Sequence, residues 1–86
     1  MEKTIVLGNE YDTDLLRVLN EVLEAKQAHC LEKWSGVAGS QEISFWKVEI
    51  DGQTLTIEAE TYRGLSLQGT DHLVEEIATA VGNGQG

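Results

Sequence analysis

The chain has 86 residues, 41% hydrophobic and 24% charged, a balance that describes one globular domain and excludes a disordered tail or a membrane protein. Fifteen acidic residues against six basic ones give a formal charge of −9. The basic residues Lys3, Arg17, Lys26, Lys33, Lys47 and Arg63 are scattered singly, so the basic stripe that a nucleic-acid backbone or an anionic membrane demands is missing.

Residues 4–7 read as a first strand, and the short apolar run around them is too brief for a signal peptide. No other segment is apolar enough to span a bilayer, which sets the expectation of a cytoplasmic protein. Cys30 is the single cysteine, so an internal disulfide is excluded and a buried, inert thiol is expected.

A helix follows, with Asp12 as its cap, Tyr11 stapled onto Leu16 and Asp14 favouring the dipole in the first turn. Leu15, Leu16, Val18, Leu19, Val22 and Leu23 recur at helical spacing, with Arg17, Asn20, Glu21 and Glu24 on the other side. The apolar stripe fades at Lys26 and Gln27 and resumes at Cys30, Leu31 and Trp34, which predicts a helix to about residue 33 with a bend near Ala28. Residues 35–40, rich in glycine and serine, read as a connecting loop. Gly36 and Gly39 share the spacing of a KH-domain loop but no basic residue accompanies them, and the Lys-Ser/Thr of a phosphate-binding P-loop is missing.

Asp51-Gly52 between two runs of β-formers signals a hairpin, since a two-residue type I′ turn needs positive φ at both central positions. Counting outward pairs Ile50 with Gln53, Val48 with Leu55, Trp46 with Ile57 and Ser44 with Ala59 on an apolar face. The opposite face carries Glu49 with Thr54, Lys47 with Thr56, Phe45 with Glu58 and Ile43 with Glu60. Two arrangements account for Ile43 and Phe45 there. The more ordinary is a β-bulge near Phe45 and Trp46 that swings both back to the core. The other is an exposed apolar patch rimmed by Glu58 and Glu60, the form of a partner-binding surface without its partner.

Residues 62–64 suggest a three-residue turn with Gly64 left-handed, pairing Thr61 with Leu65 and Ala59 with Leu67. A second helix starts at Thr70 or Asp71, buries Leu73, Val74, Ile77, Ala78 and Val81, and ends at Gly82. The expected fold is therefore one small α+β domain over residues 1–82, of order βαβββα, with a frayed tail at 83–86. Its sheet is an antiparallel meander of three to four strands with both helices on one face. Helix, three-strand meander and helix together resemble the layout of the double-stranded RNA-binding domain. The lysine-rich start of that family's second helix is replaced here by Thr70-Asp71-His72-Leu73-Val74-Glu75-Glu76, so the likeness carries no RNA binding.

Chemistry-bearing clusters are thin. His29 and Cys30 are adjacent, which on a helix sends their side chains about 100° apart, and no ligand spacing joins them to His72. No catalytic residue, metal site or cofactor is therefore expected. The expected function is a non-catalytic, regulatory protein-interaction module, monomeric or weakly dimeric. It would dock another protein, one with a basic surface, through Trp34, Ile43, Phe45, Glu58 and Glu60. One version is an inhibitor or immunity-type protein that masks a basic enzyme groove. The competing class is a small enzyme or ligand binder using Cys30 and His72.

Overall fold

A computed structural model describes residues 1–9, 12–61 and 63–84 of the chain. The elements are β1 (Glu2–Gly8), α1 (Thr13–Ala25), β2 (His29–Ala38), β3 (Gln41–Ile50), β4 (Gln53–Glu60), β5 (Gly64–Thr70) and α2 (Asp71–Gly84). The fold is α+β, but its sheet has five strands, not three to four, in the order β1-β5-β4-β3-β2, with every neighbouring pair antiparallel.

The extra strand comes from residues 29–38, where the sequence suggested the end of a helix and a loop. Helix α1 starts as expected, with Asp12 Oδ1 accepting the amides of Asp14 and Leu15 at 3.1 Å. The Tyr11 staple lies outside the described residues. The helix stops after Ala25, because Gln27 takes a left-handed φ of 58°. The Ala28 amide then donates to Leu23 O and the Gln27 amide to Glu24 O, both at 3.0 Å, which is a Schellman cap. A glutamine sits where glycine is usual, so the stop carries no plain mark in the sequence. Gln27→Gly is expected to raise stability by about 0.5–1 kcal/mol, the left-handed penalty less glycine's extra chain entropy. Chemical denaturation of the two proteins checks it.

Beyond the cap, β2 runs to a two-residue turn at Gly39 and Ser40 and returns as β3. The likeness to the double-stranded RNA-binding layout therefore fails: four meander strands, not three, separate the helices. The β3–β4 hairpin forms around Asp51 and Gly52 with φ of 51° and 79°. All eight residue pairs expected across it are present, from Ile50 with Gln53 to Ile43 with Glu60. No register shift interrupts residues 43–50, so the bulge near Phe45 and Trp46 is absent. A register shift occurs instead in the β2–β3 pair, between Cys30 and Glu32 of β2.

Strands β4 and β5 pair two residues away from the expected register: Ala59 opposes Leu65 and Ile57 opposes Leu67. Thr61 does not join that ladder. Its amide donates to Glu42 O at 3.0 Å and its hydroxyl accepts the Glu42 amide at 2.9 Å, which ties it to β3. A shift of two keeps every side chain on its face, so Leu65 and Leu67 still join the core. Gly64 has the expected positive φ, +96°, and a Cβ there would lie 2.5 Å from Gly8 O.

Both helices cover one face of the sheet. Leu15, Val18 and Leu19 from α1 and Leu73, Val74, Ile77 and Val81 from α2 meet Val48, Ile50, Leu55, Ile57, Leu65 and Leu67 in a single core. Helix α2 continues past the expected stop at Gly82 to Gly84, its last turn lying against Val18. Residues 85 and 86 of the expected tail are outside the described part. Among the described residues no helix is long and apolar enough to cross a membrane.

Lys3 of β1 and Glu75 of α2 form an exposed ion pair at 2.6 Å. The hydrogen bond and charge of Glu75 raise the Lys3 pKa, and those of Lys3 lower the Glu75 pKa. Glu75 therefore stabilises the fold above its unfolded carboxylate range, and that contribution is lost as pH falls through its depressed folded value. Lys3 does so below its unfolded range, and its contribution is lost as pH rises through its elevated folded value. The difference in thermal midpoint between the wild type and Glu75→Gln is accordingly expected to be small, greatest between those limits and absent beyond either one. Thermal scans across pH read it directly.

Candidate functional site

The helices leave the other face of the sheet bare, and strand alternation decides what it displays. Odd-numbered residues of β3 and even-numbered residues of β4 point outward, which puts Ile43, Phe45 and Lys47 beside Glu60, Glu58 and Thr56. Strand β2 then lays Trp34 opposite Phe45 and Gly36 opposite Ile43. All five residues singled out in the sequence, Trp34, Ile43, Phe45, Glu58 and Glu60, thus share one face of three adjacent strands.

At its centre the Trp34 and Phe45 rings stack, with centroids 6.0 Å apart and planes 25° from parallel. The indole also lies over Gly36, where a Cβ would come within 2.7 Å of its ring carbons. Glycine here lets a large ring lie flat along the strand instead of standing into solvent. Trp34 nevertheless remains 51% exposed, while Ile43 and Phe45 are half-buried. Offset aromatic pairs of this kind contribute about 0.5–1.5 kcal/mol beyond the area they bury.

Charge surrounds this apolar centre unevenly. Lys47 is 4.0 Å from Glu32, and Arg63 Nε lies 3.8 Å from Glu60, so the rim cations already face carboxylates. Glu58 has no ion pair or hydrogen bond from its side chain among the described residues. Beside it, Phe45, Lys47, Thr54, Thr56 and Gln68 line a shallow concavity of about 420 Å³. The arrangement suits an apolar anchor entering next to the ring stack and a positive group meeting Glu58.

A second concavity lies on the helical side, where α1 stands off from the β2 end of the sheet. It measures about 270 Å³ and is lined by Leu16, Leu19, Leu23, Ala28, Trp46 and Cys30, among others. Cys30 is exposed there, not buried as its sequence context suggested, and its thiol points to Glu32 O at 3.8 Å. The reason is the strand: on a helix Cys30 would have continued the apolar stripe, whereas on β2 it sits at the sheet's open margin. His72 lines a different surface with Glu75, Glu76 and Thr79, so the two residues of the enzyme reading border separate concavities. Among the described residues no group of three or more histidine, cysteine or acidic side chains is placed to hold a metal ion.

A helix running to about residue 33 leaves Trp34 at its end and gives it no route to Phe45, which β2 supplies. The available signal was Gly39-Ser40 between two stretches with β-formers, which permits a second tight hairpin. Comparison with protein-family models, curated proteins and solved structures found no match to this chain.

Proposed function

We propose that this protein is a non-catalytic interaction module of the cytoplasm that docks another protein on the outer face of β2, β3 and β4. The observation that carries this reading is the Trp34–Phe45 stack: an aromatic pair set beside Ile43 on a sheet face that no helix covers. Exposed apolar surface rimmed by charge is costly to keep in water unless something covers it in use. Aromatic residues flanked by polar groups are also the usual anchors of protein interfaces.

The partner carries a basic group for Glu58 and Glu60, and the chain's charge of −9 steers it toward such a surface. An inhibitor that masks a basic enzyme groove is the form of this function that the charge favours. Tagged protein exposed to host extract should retain a partner, and Phe45→Ser or Glu58→Lys should release it while the double variant Cys30→Ala, His72→Ala retains it. The opposite pattern, a biochemical activity lost in the double variant and kept in the sheet-face variants, would refute the reading.

A further inference from the structure

Strand β2 is an edge of the sheet and ten residues long, and its outer side is unpaired among the described residues. Its two-residue turn makes Ala38 and Gln41 the closing hydrogen-bonded pair of the hairpin. Alternation along an antiparallel ladder then directs the backbone of Gly36 and Trp34 to β3, and that of Lys33, Ser35 and Val37 to the open edge. The same alternation sends Glu42, opposite Val37, away from β2, and Glu42 does bond Thr61 on that side. An exposed row of paired donors and acceptors is a template for another strand.

We infer that the strand is β2 of a second copy, related by a two-fold axis through Ser35. In that register Ser35 faces Ser35 of the second copy and Lys33 faces its Val37, each pair exchanging two backbone hydrogen bonds, so the outward groups of Lys33, Ser35 and Val37 all find partners. Side chains agree with it. Trp34 comes opposite Gly36 of the second copy, which brings no side chain of its own against the indole. Moving the axis to Lys33 would set two lysines face to face.

Charge permits the contact although the whole chain carries −9. Residues 29–38 hold one glutamate and one lysine, Glu32 and Lys33, so two such edges meet without net repulsion between them. Leu31, Trp34 and Val37, at 56%, 51% and 72% exposure, also place three of the exposed large hydrophobics on this one strand. The product is a ten-stranded sheet whose two outer faces run together, which extends the surface proposed above and leaves it open.

Sedimentation equilibrium of the full chain over a range of concentrations tests the pairing. The expected result is a dimer of twice 9.4 kDa that dissociates on dilution. Ser35→Pro removes an outward amide without touching the β2–β3 ladder, and it should sediment as a folded monomer by circular dichroism. Should that variant not fold, hydrogen exchange of the wild type decides: in the dimer the Lys33, Ser35 and Val37 amides exchange slowly. A wild type that stays monomeric at every concentration overturns the proposal. So does a dimer that persists in folded Ser35→Pro, or one whose three edge amides exchange freely. Protection of those amides only when a different protein is added assigns the edge to a foreign strand and overturns self-pairing as well. Loss of dimer leaves partner capture by Phe45 and Glu58 to be judged by its own assay.

Discussion

Phe45→Ser is expected to weaken partner binding by about 30-fold or more, corresponding to roughly 2 kcal/mol for a central aromatic anchor. The substitution removes one ring of the stack and leaves Trp34 without its support at 6.0 Å, so both halves of the anchor are lost together. The fold should persist, because Phe45 lies on the face opposite the core of Leu55, Leu67 and Ile77. Isothermal titration with the captured partner gives the affinity, and circular dichroism confirms the fold. An unchanged affinity would remove the outer face from the interface.

Leu67→Ala carries the largest expected cost in stability, about 2–5 kcal/mol. Leu67 is fully buried on β5 between Ile57 of β4 and Ile5 of β1, with α2 packed over the strand. Alanine leaves a cavity that two hydrogen-bonded neighbours hold open. In a domain of this size each 1 kcal/mol moves the thermal midpoint by about 4–8 °C, so a fall of at least about 8 °C is expected. Val6→Ala is the matched control. Val6 neighbours Ile5 in the same strand but points to the bare face at 61% exposure, and its loss should cost less than about 0.5 kcal/mol. Thermal unfolding of both variants separates the two faces of the sheet.

Much of this geometry was legible where a local rule has one physical solution. Asp51-Gly52 admits the left-handed pair that a tight hairpin needs, and from it the partner of every residue between Ile43 and Glu60 followed. The placement of Ile43 and Phe45 away from the helices came from the same count. Legibility failed where an uncommon residue performed a common task. Gln27 closes α1 in a conformation that glycine or asparagine usually takes, so the apolar residues Cys30, Leu31 and Trp34 read as a continued helical stripe. Once the helix ends there, the same residues become a strand, and Trp34 moves from a helix end to the partner of Phe45. At the β4–β5 turn the misreading was milder. Thr61 is held by Glu42 of β3, a tertiary bond that no local pattern announces, and the resulting shift by two left the faces unchanged.

The candidate site was thus readable as a set of residues but not as an assembled surface. Ile43, Phe45, Glu58 and Glu60 belong to one hairpin and could be placed together from the turn alone. Trp34 and Gly36 reach them only through β2, which depends on the cap at Gln27. A ring lying across a glycine is a tertiary arrangement, and neither residue signals it separately.

An amide-resolved NMR titration of the isotopically labelled protein with its captured partner tests the docking surface most directly. Shifts are expected at Trp34, Ile43, Phe45, Glu58 and Glu60, with the helical residues Leu16, Leu23, Glu75 and Thr79 unmoved. Shifts confined to α1, α2 and the cleft beside Trp46, with the outer strand face silent, would contradict it.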